Sequence, residues 1–181
     1  MPVSVEEARR IAVRAQQLDG TASGVLETAR RVGFLQLDPI STVAPPQHLV
    51  LWSRLGSYDT AELDRLLWEE RKLIEWNAFL YPIEDLPLLK AFMRRNDRPL
   101  DARRRAYLRE NSAFSRYVLK ELRERGPLLS REIETHSSRG GEEERHRWWG
   151  ARQMGLMLEV LAQVGKVAVF YRPKLNAASA D

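Results

Sequence analysis

Apolar positions recur at helical spacing along most of this chain. Ser4 and Glu7 form a capping-box pair, and Ala8, Ile11, Ala12, Ala15 and Leu18 follow on one face. This predicts a first helix that ends at Asp19-Gly20. Ser23 as a cap, with Val25, Leu26, Ala29 and Val32 behind it, predicts a second helix stopped by Gly33. Phe34 to Asp38 is a short extended run, closed by Pro39, which disfavours helical backbone at Asp38. A third helix is predicted from about Gln47 to Leu55, with Gly56 as its stop. Asp59 and Glu62 form another capping box and open a helix that carries Leu63, Leu66 and Leu67 on one side. Leu73 to Tyr81 then mixes Leu, Ile, Trp, Phe and Tyr at strand-like density.

The second half repeats the theme. Glu84 to Arg95 is predicted as a helix, with a break from Asp97 to Arg98-Pro99. Ser112 caps a helix bearing Phe114, Tyr117, Val118 and Leu122, which stops at Gly126-Pro127. Leu128-Leu129 is a brief extended piece, Arg131 to His136 a short helix begun by Ser130, and a polar loop holds Gly140-Gly141. A helix from about Trp149 to Val164 buries Leu156, Met157, Val160 and Leu161, and Lys166 to Arg172 has the composition of a strand. The expected fold is mainly α with short β wings, as tandem winged helix-turn-helix modules over residues 1–98 and 99–181. A wing is a hairpin, yet nothing strand-like follows Arg172. The second module is therefore expected to be truncated, or its strand to pair with another chain, a route to self-association through Lys166–Arg172.

Composition narrows the function. The 181 residues contain no Cys, which excludes disulfides and thiolate metal sites, and no stretch approaches the ~18 apolar residues of a membrane span. Met1 to Arg10 lacks an apolar signal region, so a cytoplasmic, nucleoid-associated protein is expected. Charge is distributed unevenly: Arg94 to Arg125 holds 11 basic and 5 acidic residues, whereas Asp59 to Asp85 holds 8 acidic and 3 basic. A basic half beside an acidic segment suits a protein that lays one face on a polyanion, with Arg103, Arg104 and Arg105 as candidate phosphate contacts. Solvated helix faces would also account for the charges.

No nucleotide-binding glycine loop, zinc-protease helix or nucleophile elbow is present. His48, His136 and His146 match no metal-ligand spacing, so no metal or cofactor is expected. Trp148-Trp149 fits packing better than a base-stacking platform. Phe34-Leu-Gln-Leu-Asp-Pro-Ile-Ser41 is the most informative segment. Gln36 and Asp38 lie two apart in extended backbone, so both side chains leave one face while Leu35 and Leu37 face the core. An amide and a carboxylate on a stiff strand end can hold a water between them; an Asp cap beside a solvent-facing Gln would look the same in sequence.

Gln36-Leu37-Asp38-Pro39-Ile40, His48-Leu-Val-Leu-Trp-Ser-Arg-Leu-Gly56 and Tyr58-Asp59 resemble the start of the AlkZ/YcaQ-like winged-helix DNA glycosylases, which unhook interstrand crosslinks. Arg71-Lys72, Pro82-Ile-Glu-Asp-Leu-Pro87, Gly126-Pro-Leu128, Trp148-Trp149-Gly150 and Leu158-Glu-Val-Leu161 follow in that family's order. The resemblance implies tandem winged helices around a DNA channel and hydrolytic excision of N7-alkylated guanine from double-stranded DNA, crosslinks included, without metal or organic cofactor. It places Gln36 and Asp38 at the catalytic site and turns His48 and Arg54 toward DNA. It also implies a third module that these residues do not contain. A non-catalytic winged-helix DNA-binding regulator is the alternative.

Overall fold

The computed structural model describes residues 3–38, 40, 42–95, 98–137 and 145–170, with the side chains of residues 134–151 left aside. The expectations for Trp148-Trp149, His136, His146 and the Gly140-Gly141 loop concern side chains or residues outside that description. The chain forms two compact units, one reaching Leu89 and the other spanning Lys90–Phe170.

The first unit opens with α1, Val5–Ala15, whose capping box forms as predicted: Ser4 Oγ accepts the Glu7 N–H while the Glu7 carboxylate accepts the Ser4 N–H. The helix ends at Ala15, earlier than Asp19-Gly20, because Gln17 turns to φ 54°. No residue of α1 is buried. Helix α2, Val25–Val32, follows Gly24 rather than a Ser23 cap, and Gly33, at φ 88°, turns the chain into β1, Leu35–Gln36. Helix α3, Pro46–Leu55, starts on its own proline and stops at Gly56. Helix α4, Ala61–Asp64, has Asp59 Oδ1 accepting the Ala61 N–H, and widens into a π-helical turn over Arg65–Glu69. Strands β2, Leu73–Trp76, and β3, Phe79–Pro82, form a hairpin.

The sheet order is β1-β3-β2, antiparallel throughout, with Leu35 opposite Leu80 and Gln36 opposite Phe79. Two helices flanking a strand, a further helix and a hairpin that takes the first strand onto its far edge constitute a winged helix, with α1 outside it. The strand alternation of period two builds the core. Leu35, Leu73 and Leu80 point inward and join Val25, Ala29, Leu51, Leu63, Leu66 and Leu67 in one buried cluster.

Helix α5, Leu86–Arg94, runs across the boundary at Leu89, and the second unit continues with α6, Pro99–Glu110, a helix not expected from the sequence, where only a break at Asp97–Pro99 is marked before Ser112. Pro99 in its first turn and Asp101 beside it were the available start signals. Helix α7, Ser112–Arg125, follows Asn111 rather than a Ser112 cap, and α8, Ser130–Ser137, and α9, Arg145–Gln163, complete the unit. Val118, Ile133, Met154, Met157 and Leu161 form its core. Leu156 is 45% exposed, contrary to expectation. The buried stripe runs through 154, 157 and 161, and residue 156 lies about 200° around the helix from 154. Leu128-Leu129 and Lys166–Phe170 form no strand among the described residues. A β-rich composition does not make a strand without a ladder partner, and this unit offers none among the described residues. Tyr171 and Arg172 lie outside the description.

The β2–β3 turn is strained. Its two central residues, Asn77 and Ala78, have φ 53° and 62°, the pattern of a type I′ hairpin. Asn tolerates this region, but Ala is held there against its Cβ. Ala78→Gly is expected to stabilise the protein by about 0.5–1 kcal/mol, raising Tm by roughly 1–4 °C in thermal unfolding. A fall in Tm would contradict the strain.

Candidate functional site: an amide and a carboxylate on the edge strand

Strand β1 has only two residues, but backbone bonds on either side make it stiff. Leu37 N–H continues the ladder by donating to the Ala78 carbonyl at 2.9 Å. This bond fixes the residue between Gln36 and Asp38 against the hairpin turn. Leu35 is fully buried, Gln36 is exposed, Leu37 packs on the core and Asp38 is half-buried, so the alternation expected from the sequence is present.

The two polar side chains do converge. Asp38 Oδ1 accepts the Ile40 N–H at 2.9 Å, an Asx turn that holds the carboxylate in one orientation. Its other oxygen, Oδ2, faces the Gln36 Nε2 at 3.5 Å. That separation is the outer limit of a direct hydrogen bond, so neither group is saturated by the other. Both sequence alternatives are therefore realised in part: Asp38 does cap the following turn, and one oxygen still stands beside an exposed amide. The pair presents a negative charge, an acceptor and an amide within a few ångströms.

Gln36 also shares its face with an aromatic row that sequence reading did not isolate. Ile74 and Trp76 of β2 and Phe79 and Tyr81 of β3 point away from the core. Phe34, 50% exposed, packs edge-on against Phe79 with centroids 5.0 Å apart and planes at 80°. Trp76, Phe79 and Phe34 each lie about 6 Å or less from a neighbouring ring, with Tyr81 in contact with all three. The period-two spacing of Trp76 and Ile74, and of Phe79 and Tyr81, was the available signal. The turn hid it, because Asn77-Ala78 is not the Asn-Gly that marks a hairpin.

The structure places the other candidates variously. His48 Nδ1 lies 2.7 Å from the Tyr58 hydroxyl and the two rings stack. Burial pulls the His48 pKa below its ordinary 6.5, and the charge of Asp64 opposes this less strongly. Burial, aided by Asp64 and Glu62, pushes Tyr58 up to about 12. Arg54 donates to the backbone carbonyls of Gln16 at 2.9 Å and Val50 at 3.1 Å, stapling the segment after α1 to α3. Arg105 donates to the carbonyls of Arg94 and Arg95, where it closes the C-terminal end of α5. Arg104 pairs with Asp101 at 3.4 Å, with both side chains about one-fifth exposed, and Arg103 is exposed. No cluster of three His, Cys, Asp or Glu suited to a metal occurs among the described residues, and none of their helices is long and apolar enough to cross a membrane.

The first unit is thus a winged helix, with an amide on its first strand and a carboxylate just beyond it. The family model of the AlkZ-like DNA glycosylases matches residues 29–178, and the chain belongs to that family. The match begins within α2, runs through α9 and leaves α1 outside. No solved structure matches the chain.

Two measurements probe this geometry. Folding lowers the His48 pKa, so the unfolded chain binds more protons just below pH 6.5. Stability is then fully present above pH 6.5 and declines as pH falls from there toward the folded-state value. Thermal unfolding at a series of pH values should show this decline, and His48→Gln should flatten it; an identical slope in the variant would contradict it. Arg54→Lys should lower stability by about 1–2 kcal/mol, because an ammonium cannot reproduce the planar fork that serves two carbonyls. Unchanged denaturant unfolding would argue against the staple.

Proposed function

We propose that this protein hydrolyses the N-glycosidic bond of N7-alkylated guanine in double-stranded DNA, interstrand crosslinks included, with Gln36 and Asp38 as its catalytic residues. The observation that carries the reading is the convergence of the two side chains beside a single strand, in a chain of the DNA glycosylase family. Alkylation at N7 puts a positive charge on the base, so the base departs without prior protonation and the site requires no general acid. As C1′–N9 breaks, the bonding electron pair moves to the base and neutralises it, while the sugar becomes oxocarbenium-like. Asp38 stabilises that developing charge and accepts a proton from the attacking water; Gln36 orients the water toward C1′. The products are the neutral alkylated base and an abasic deoxyribose. Leu35 to Ser41 contains no Lys, which favours hydrolysis over a Schiff-base route.

The alternative, a regulator that reads DNA through a helix in the major groove, fits poorly. Helix α4 and its π turn stand where such a helix would be, yet Ala61 to Glu70 carries Glu62, Asp64, Glu69 and Glu70 against Arg65 alone, a net −3. A helix of that charge is repelled by phosphates. Arg103, exposed on α6, is the proposed phosphate contact among the three consecutive arginines, while Arg54, Arg104 and Arg105 support the structure that carries them. His48 would approach DNA only through a ring already engaged with Tyr58.

The test is release of N7-methylguanine from methylated duplex DNA. The parent protein should release the base, and Asp38→Asn should slow release by about 10²-fold or more, consistent with loss of a positioned base and charge. Equal rates in parent and variant would remove Asp38 from the mechanism.

A further inference from the structure

The outward face of the three-stranded sheet has no role in the core, which the inward row of Leu35, Leu73 and Leu80 already fills. Phe34, Gln36, Ile74, Trp76, Phe79 and Tyr81 line it, with the Asp38 carboxylate beside Gln36 and no cation among these residues. A surface of this kind is unsuited to phosphates. Its π faces favour a flat guest, and a delocalised positive charge on that guest strengthens the attraction. Phe34 is the most open of the rings at 50% exposure, and it stands edge-on to Phe79, so the two enclose a right-angled corner. Gln36 borders that corner on both sides: it lies directly across from Phe79 in the ladder and two residues beyond Phe34 on the same face. Two residues of strand span about 6.6 Å, which is the reach of a purine ring together with its glycosidic bond.

We infer that Phe34 and Phe79 form the seat for the alkylated purine, stacking the cationic ring so that its C1′–N9 bond lies over Gln36 and Asp38. The inference rests on the reaction proposed above and assigns the residues that recognise its base. Phe34 and Phe79 are binding residues that discriminate a cationic purine from neutral guanine; they take no part in proton transfer. This arrangement also gives the chain a way to select its lesion without a basic recognition helix. Stacking senses the charge that alkylation adds, whichever alkyl group brings it.

The experiment measures binding rather than turnover. Fluorescence anisotropy compares three duplexes. One carries a single N7-methyl-2′-fluoroarabinoguanosine, in which fluorine blocks cleavage; one carries its uncharged shape mimic, 7-methyl-7-deazaguanine; one is unmodified. The parent protein should prefer the cationic lesion over both others. Phe34→Ala and Phe34→Leu should each reduce that preference about tenfold, while Phe34→Tyr keeps it within about twofold and binding to the unmodified duplex stays constant. Phe79→Leu provides a second, fold-compatible arm with the same expectation. Full preference in Phe34→Leu, or equal preference for the uncharged mimic, would overturn the stacking seat and leave the proposed reaction standing. No lesion preference in the parent would overturn both.

Discussion

Two residues of antiparallel ladder govern the site. Because Leu35 and Gln36 pair with Leu80 and Phe79, alternate side chains of the segment are committed to opposite faces, and a slip of one residue would exchange them. Burial of Leu35 among nine core residues makes that slip costly, since the exchange would put Gln36 into the hydrophobic cluster. The register that satisfies the core is thus the register that exposes Gln36 and directs Asp38 to the same side. Packing, not any property of the polar residues themselves, brings the amide and the carboxylate together.

The same coupling reaches the hairpin. Ala78 occupies left-handed backbone that suits Gly, and its carbonyl accepts the Leu37 N–H, so the turn and the motif strand are one hydrogen-bonded unit. The Asx turn of Asp38 onto Ile40 serves in turn to fix the carboxylate once the strand has ended. A pre-set carboxylate and amide need little reorganisation when charge develops on a sugar, which is the condition under which electrostatic stabilisation is most effective. Acidic residues on α4 and an aromatic sheet face with Asp38 at its border fit the same reading. In the reaction proposed above, it is the strand side of this winged helix, and not its usual helix, that meets the nucleic acid.

Much of this was legible in sequence where one local rule acted alone. The capping box at Ser4, the glycine stops at Gly33 and Gly56, and the alternation through Leu35–Asp38 all follow from short-range chemistry. Rules that depend on distant partners failed. Val167, Val169 and Phe170 have strand-forming side chains but no ladder to join among the described residues, so the composition gave a strand where none forms. Ser23 and Ser112 had the chemistry of caps, yet the backbone placed Gly24 and Asn111 at those positions. The arginines show the same limit. Sequence marks Arg54 and Arg105 as cations, and only the fold reveals carbonyls of Gln16 and Arg94 within their reach.

The most direct measurement exploits the absence of cysteine from the chain, which makes any introduced thiol unique. Gln36→Cys and Leu37→Cys variants would be offered duplex DNA carrying a disulfide tether on the sugar that bears the alkylated base. The account predicts rapid crosslinking at position 36 and little at position 37, whose side chain packs on the core. Equal crosslinking at both positions, or crosslinking at 37 alone, would contradict the presentation of this strand to DNA.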